Sequence, residues 1–512
     1  VDYVTRMPTQ LEGHVKTGYT SQPFDLYNTH ATYRAWEASA SLGSKSGDWS
    51  WWINANHTDS EGQPLTFATR LAASGTAGGA GTPVTGAVPG ANSAGQPWYV
   101  LGTGTQYHTL QDHLKLKLAY DITPALRASY VLGVWQNESH GRPVSYLRDA
   151  AGNAVTSGSV NINDQTYSAL TGGDLALTED RSTHYMHGFS LKQHTQGVFD
   201  WEVAASLYDY DRDTQRRNGA TNALPAAATG GPGTIADGAG TGWNTLALRG
   251  TWRPGGTQGP HIVDFGLQQD SYKLRYATSN IAGNWFSDGA GSLASNVRGN
   301  TQLQSLWAQD AWAFAPRWKA VLGARAEHWR ASDGLTAFSA SSSQGYGARS
   351  ENGISPKAAL SYRWSDATVL KAALGRAVRF PTVGELYGAT STTNSQYIND
   401  PNLRPEKSWT GELSAEHDLG NALLRLTYFA ENTHDALYSQ TVLDPVANRN
   451  ISRVQNIGRI ATQGLEAAYN GENLFTRGLD LNASLTYAHS VIKENAGFVS
   501  VPGDTIGKQQ PN

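Results

Sequence analysis

Residues 114–134 read Leu114-Lys115-Leu116-Lys117-Leu118-Ala119-Tyr120-Asp121-Ile122-Thr123-Pro124-Ala125-Leu126-Arg127-Ala128-Ser129-Tyr130-Val131-Leu132-Gly133-Val134. Leu114, Leu116, Leu118 and Tyr120 alternate with Lys115, Lys117 and Ala119. After a turn at 121–124 the alternation resumes, with Leu126, Ala128, Tyr130, Leu132 and Val134 set against Arg127, Ser129, Val131 and Gly133. Successive residues of a strand point to opposite faces. The stretch therefore predicts an antiparallel hairpin with one apolar face and one face that is largely polar or small, and the apolar set is expected to face outward.

The same pattern recurs along the chain. Segments 30–43 and 48–58 flank a turn at 43–48, and 183–193 and 198–212 flank 193–197; later pairs turn at 253–261, 315–317, 365–368, 418–421 and 471–478. Phe199, Trp201, Val203, Ala205 and Leu207 make one apolar face, and the last clear strand sets Leu479, Leu481, Ala483, Leu485 and Tyr487 against Asp480, Asn482, Ser484 and Thr486. Much longer connections separate the hairpins, at roughly 59–106, 139–182, 213–241, 276–300, 332–353, 379–406 and 432–461. Alternating short turns and long loops predict an up-and-down wall of about 17 strands, with every long loop at one end. Strands of about 10 to 15 residues exceed the usual soluble length. A propeller or sandwich would show shorter strands and more even loops.

Composition supports a wall one residue thick. Only 16% of the 512 residues are charged and only 39% are hydrophobic, while Gly (55), Trp (16) and Tyr (23) are abundant. A sheet with lipid on one face and water on the other needs only alternate residues to be apolar, and Trp and Tyr suit the membrane interface. The expected fold is all-β, an antiparallel transmembrane β-barrel in the outer membrane of a Gram-negative bacterium. The chain has no cysteine, which excludes a disulfide framework and a thiolate metal site. A net charge of -4 gives no reason to expect a nucleic-acid partner. No run of about 18 apolar residues offers a helical span; the longest stretch without Asp, Glu, Lys or Arg, 71–111, is Gly, Ala, Thr and Pro and reads as loop. The chain opens at Val1 without Met or signal peptide, so further sequence is expected upstream.

Enzyme and metal motifs fail one by one. His184 and His187 are three apart on a strand, so they face opposite ways. Asp209, Asp211 and Asp213 imitate the start of a calcium loop, but Thr214 and Ala220 stand where Gly and Glu are required. G-x-S-x-G, H-E-x-x-H and Walker patterns are absent from the sequence. No catalytic residue, resident metal or cofactor is expected.

A set of short motifs remains. Residues 375–386 read Gly-Arg-Ala-Val-Arg-Phe-Pro-Thr-Val-Gly-Glu-Leu; 399–406 read Asn-Asp-Pro-Asn-Leu-Arg-Pro-Glu; Glu412, Asn456-Ile457-Gly458 and Gly464-Leu465-Glu466 follow. Pro381, Pro401 and Pro405 break strands and shape a long loop. Glu406, Glu412 and Glu466 fall near polar barrel positions and can pair with Arg325, Arg363, Arg376 or Arg425. In order and spacing this set, with Glu385, resembles the C-terminal motifs of TonB-dependent receptors. Ser305-Leu-Trp-Ala-Gln-Asp310 and Leu322-Gly-Ala-Arg325 resemble that family's mid-barrel hairpin, and Val1-Asp-Tyr-Val-Thr-Arg6 the last strand of its plug.

The resemblance implies a barrel of about 22 strands, of which about 17 are present, with residues 1–8 ending a plug domain and 9–512 forming the barrel without its last strands. It implies active uptake of a scarce ligand, most often a ferric siderophore or similar metal chelate. An inner-membrane TonB complex would supply energy through a plug segment, and the receptor would be a monomer in outer-membrane lipid. A passive porin is the alternative, and cobalamin, haem, another metal or a glycan are alternative cargoes. No His lies between 329 and 416, which counts against haem; two Met and no Cys count against soft copper. Arg and aromatic loop residues suit anionic, ring-bearing chelates. The ligand candidates are Trp285, Phe286, Arg298, Tyr346, Arg349, Tyr387 and Tyr397. The Gly- and Ala-rich stretches 72–96 and 218–241 are expected to be flexible and weak contact candidates.

Overall fold

The computed structural model describes residues 7–92, 95–195, 197–392, 395–444 and 449–495, with backbone alone at 389–392, 395–398, 440–444 and 449–453. The hairpin read first from the sequence forms as β4 (Gln106–Thr123) and β5 (Leu126–Arg142). Before it stand β1 (Glu12–Leu26), β2 (Thr29–Ser46) and β3 (Trp49–Glu61). After it come β6 (Thr178–Gln193), β7 (Phe199–Asn218), β8 (Gly242–Trp252), β9 (His261–Ile281), β10 (Leu293–Ala315) and β11 (Trp318–Ala337). The wall continues through β12 (Arg349–Arg363), β13 (Thr368–Arg379), β14 (Glu406–Asp418), β15 (Ala422–Asp444), β16 (Arg449–Gly471) and β17 (Leu481–Glu494). Each long strand pairs antiparallel with the next, giving the all-β barrel wall and the strand count that the periodicity predicts. Val1–Arg6, assigned to a plug strand by resemblance, lies outside the described residues, as does 496–512.

One face of this wall is apolar throughout. Leu248, Leu267, Leu306, Ala326 and Ile354 form one cross-strand row. Leu413, Tyr428, Leu465 and Tyr487 form another, 61%, 43%, 60% and 67% exposed. Rows of exposed leucine are stable only against hydrocarbon. Leu114, Leu116 and Leu118 share this face with Trp51 and Ile53, as the sequence register requires. At the short-turn end the face carries an aromatic girdle: Trp49 against Tyr120, Trp312 and Phe314 against their neighbours, Trp318 against Tyr362. At the other end its apolar run stops at Asp112, Asp209, Asn244, Gln269 and Asn432.

The opposite face is the lumen, because the chain's own segment 380–387 and Pro8 pack on it. Pro8 sits against Gly43 and the Trp52 ring. Several charged groups on this face are paired. Asp121 accepts from Arg127 at 2.6 Å and Lys45 at 2.8 Å. Asp264 accepts from Thr251, Arg249 and Gln309. Arg425 meets Glu466 at 3.6 Å, one of the pairings expected from sequence.

Above the membrane the structure corrects the loop boundaries. Segment 432–461 is mostly a continuation of β15 and β16, each 23 residues long, and 276–300 shrinks to a connection between Ile281 and Leu293. Once both faces of a strand meet water, apolar alternation fades while backbone pairing continues, so periodicity underestimates strand length. The glycine-rich loops are also folded rather than loose. Loops 62–105 and 143–177 build a three-stranded and a four-stranded sheet around Leu101, Leu147, Val160, Tyr167 and Leu175. Gly86 has φ +89, and a Cβ there would stand 2.2 Å from the Tyr146 carbonyl oxygen; glycine allows the two loops to touch. In 218–241, the Asn222 amide donates to the carbonyls of Gly230 and Pro232.

This cap is tied by Arg70, which grips Asp174 at 2.8 and 3.1 Å. Burial raises the Asp174 pKa, but hydrogen bonds from Arg70 and Thr171 and the guanidinium charge outweigh it and hold the carboxyl below its ordinary 3.8. The pair's contribution is therefore complete above about pH 4 and is lost as pH falls through and below that value. Limited proteolysis of 62–105 is expected to accelerate below about pH 4; an Arg70→Gln protein should cleave readily already at neutral pH. A flat pH profile would contradict this.

Candidate functional site

The lumen at its loop end is shaped by one inward-folded segment. β13 pairs with β12 only up to Lys357–Gly375 but stays on β14 as far as Arg379–Glu406. Its upper end therefore leaves β12 and turns into the barrel. Phe380 stacks on the lumen-facing Trp329 with ring centroids 5.8 Å apart. Pro381 ends the strand and Thr382 caps a short helix, α1 (Val383–Tyr387). Thr382 and Glu385 form a reciprocal capping box, and Arg379 holds the same Glu385 at 2.5 Å.

The helix drives Val383, Leu386 and Tyr387 into a cluster with Trp329, Ala331, Leu403 and Val454. Gly299 and Gly334 leave room for the Tyr387 ring, since a Cβ on either would meet it at 2.8 or 2.5 Å. The return path is equally fixed. Asp400 accepts from the Asn402 amide, and Leu403 is fully buried. Asn456 receives the Arg404 amide and donates to the carbonyls of Arg404 and Asp435. Glu406 accepts from the Leu437 amide at 2.9 Å. Glu412, Phe429 and Gly464 stand in one lumen row; Gly464 has no side chain because the Phe429 ring lies over it, 2.5 Å from where a Cβ would be. Pro381, Glu385, Leu403, Glu406 and Asn456 thus act together to seat the segment in the lumen, while Gly464 and Glu466 make their contacts within the wall.

Three of the ligand candidates meet at this segment. Tyr346 stacks on Tyr387 at 5.0 Å. Arg349 lies over Trp329, donates to the Pro401 carbonyl at 2.9 Å and pairs with Glu351 at 2.7 Å. Tyr387 itself is 1% exposed and presents no free ring face. Arg298 is nearby on β10 and faces Asp333 at 3.8 Å. Trp285 and Phe286 belong to a separate cluster: Trp285 is fully buried, donates to the Ala227 carbonyl and packs on Phe286 at 4.0 Å. The side chain of Tyr397 lies outside the described residues. Among the described residues, no three His, Asp or Glu side chains converge as a metal cage. His184 and His187 face opposite sides of the wall: His184 stacks on Tyr210 in the lumen, and His187 meets Tyr130 at 2.8 Å on the lipid side.

A second lumen feature was missed in the sequence. Trp135, His184, Tyr208, Tyr210 and Trp243 form a continuous belt across β5 to β8. Trp135 and His184 are 4.8 Å apart, His184 stacks on Tyr210 at 3.8 Å, and Tyr208 stacks on Trp243 at 4.3 Å. The belt continues past Tyr272 towards Trp329 and Phe380, which line a neighbouring cavity of about 680 Å³. Its signal was available: these aromatics occupy the polar phase of their strands, out of step with the lipid-facing run.

A family model described as TonB dependent receptor-like, beta-barrel matches residues 129–512. Among solved structures the chain is similar to the ferric citrate transporter FecA in its unliganded form, with TM-score 0.62, 13% identity, and coverage of 99% of this chain and 62% of that one. It is similar to the ferric yersiniabactin uptake receptor FyuA from Yersinia pestis, with TM-score 0.58, 12% identity, and coverage of 95% and 62%. It is also similar to the copper transporter OprC, with TM-score 0.59, 11% identity, and coverage of 96% and 63%. The chain spans less than two thirds of the length of these structures, and at such identities the likeness concerns the fold. A search of curated protein sequences returns no match. With the family match covering more than half of its length, the chain belongs to the TonB-dependent receptor β-barrel family.

Proposed function

We propose that this chain is the barrel of an outer-membrane receptor that takes up a scarce metal chelate, a ferric siderophore above all, with energy delivered by the TonB complex through a plug domain. The observation that carries the reading is the inward-folded stretch 380–388 with its return at 399–405. It narrows the lumen at the loop end and is held by a buried aromatic cluster, capping bonds and ion pairs. A constriction alone also suits a passive pore, where it sets selectivity; what favours the receptor is that this one is built from the motifs that resemble the TonB-dependent family, and a receptor needs a shaped mouth where ligand is retained. Pro8 on the lumen face of β2 supports the same topology, because the chain then reaches β1 from inside the barrel. The solved structures it resembles include carriers of iron chelates and of copper, and a lumen holding Lys, Arg and aromatic rings suits an anionic, ring-bearing chelate better than a soft copper ion.

Growth under iron limitation tests the cargo. A strain lacking the gene is expected to lose growth on at least one ferric siderophore of a panel and to regain it on complementation. Normal growth on every siderophore, together with a defect for cobalamin, nickel or an oligosaccharide, would remove iron and leave a receptor for that other cargo.

A further inference from the structure

The outer face of β13 to β16 carries a charge pattern at the loop end that the lumen site does not use. Three cross-strand rows succeed one another away from the short turns. Leu374, Gly411 and Ala430 form the first, Arg376, Trp409 and Asn432 the second, and Val378, Lys407, His434 and Arg459 the third. All keep the phase of Leu413 and Tyr428, so they point away from the lumen. Lys407 stands eleven residues above the short-turn end of β14, and His434 and Arg459 stand twelve above those of β15 and β16. At about 3.3 Å per residue and a tilt of about 40°, the third row lies roughly 30 Å up, just past an apolar band about 25 Å tall. It therefore meets the headgroup layer at the loop end.

Charge in this row is one-sided. The direct neighbours of Lys407 are Val378 and His434, and those of His434 are Lys407 and Arg459. Arg459 donates to the Asn432 amide oxygen at 2.8 Å, and Arg376 to the Ile354 carbonyl at 3.3 Å. Glu494 borders the row opposite Arg459, and the Asp435 carboxylate beside His434 is already held by Arg404 at 2.6 Å. The same level is acidic elsewhere on the outer face. Glu61 stands twelve residues above the start of β3, Asp112 eleven above the turn end of β4 and Glu138 twelve above the start of β5, with His57 on Asp112 and Arg181 on Glu138. A cationic row is thus a property of this sector and not of the level. Directly beneath it, the lipid-facing Leu322, Leu360, Leu374 and Leu413 and the smaller Gly411 and Ala430 line a groove of about 510 Å³, which Glu412 borders from the lumen phase of its strand. Trp409, 42% exposed, stands at the upper end of the groove, where a ring with one polar edge suits the interface.

We propose that this sector of the outer wall is a specific seat for one membrane lipid with an anionic, phosphate-bearing headgroup. Lys407 and Arg459, with Arg376 one row below, hold the phosphate, and an acyl chain fills the groove over Gly411 and Ala430. Cations set directly above a groove at hydrocarbon depth match an amphiphile and not a solution anion. The face is reached from the membrane and not from the lumen, so the transported ligand is not its occupant. The proposal stands apart from the cargo reading above.

The test titrates the full-length receptor, purified in detergent, with two lipids, diphosphorylated lipid A and zwitterionic phosphatidylcholine, and counts bound lipid by native mass spectrometry. The wild type is expected to retain lipid A at concentrations where phosphatidylcholine does not bind. The double variant Lys407→Gln with Arg459→Gln should weaken lipid A by about tenfold or more, and Glu61→Gln in the acidic sector should change it by less than about twofold. Gly411→Leu, whose Cβ would meet nothing closer than 3.9 Å, should fill the groove and weaken lipid A in the same direction. Lys407→Gln alone leaves the Arg459–Asn432 bond in place and decides the matter if the double variant fails to fold. Unchanged lipid A binding in the lysine variant and the double variant would overturn the seat. So would equal binding of both lipids by the wild type, or a loss on Glu61→Gln as large as that of the double variant. Release of the lipid by millimolar inorganic phosphate would make the row a plain anion site, which also overturns it.

Discussion

Replacing Tyr387 by alanine is expected to release the inward-folded segment from the barrel wall while the wall itself persists. The ring is 1% exposed, stacks on Tyr346 and fills the space left by Gly299 and Gly334. The residue's carbonyl also accepts a hydrogen bond from the Thr336 hydroxyl. Truncating a buried aromatic costs about 3–5 kcal/mol, which is large for a short helix seated by one aromatic cluster. Hydrogen exchange reads the effect locally. The amides of Leu386 and Gly388, bonded to the carbonyls of Thr382 and Gly384, should lose most of their protection. Amides of β9 to β11 should keep theirs. Gly334→Val should act in the same direction, because its Cβ would stand 2.5 Å from the Tyr387 ring. Unchanged protection at 383–388 in both variants would show that the cluster does not hold the segment.

Placing arginine on the lipid face is expected to be the other severe change. Leu413 is 61% exposed in a row with Tyr428, Leu465 and Tyr487. Near the middle of the bilayer such a substitution costs about 2–4 kcal/mol. Glu412 is the adjacent residue and faces the lumen, so Glu412→Gln should change stability by about 0.5 kcal/mol or less. Urea unfolding of the full-length protein from lipid vesicles measures both. Equal effects, or the larger one at Glu412, would reverse the assignment of faces.

The wall was legible because its physics is periodic. Leu114 to Tyr120 and Phe199 to Leu207 alternate so plainly that one face had to be apolar, and a one-residue slip would have sent every lysine of β4 into lipid. The upper parts of β15 and β16 were not legible, because strands in water on both sides need no alternation. The cap built by 62–105 and 143–177 was missed for a related reason. Its core joins Leu101, Leu147 and Tyr167 from two loops distant in sequence, and glycine there serves backbone contact as readily as flexibility. In the lumen, the motif residues Pro381, Glu385 and Glu406 were visible in the sequence, but their joint task was not. Only tertiary packing brings Asn456 to Arg404. The aromatic belt was overlooked because aromatic residues were read as membrane girdle by default, without asking which phase of the strand they occupied.

The central claim is that this barrel serves a gated, energy-coupled receptor. Uptake of a radiolabelled ferric chelate by cells with and without the gene, measured across ligand concentration and with or without an uncoupler, addresses it most directly. The account predicts gene-dependent uptake that saturates at low ligand concentration and stops when the proton-motive force is dissipated. Gene-dependent uptake that rises in proportion to concentration and ignores the uncoupler would contradict it and make the barrel a passive pore.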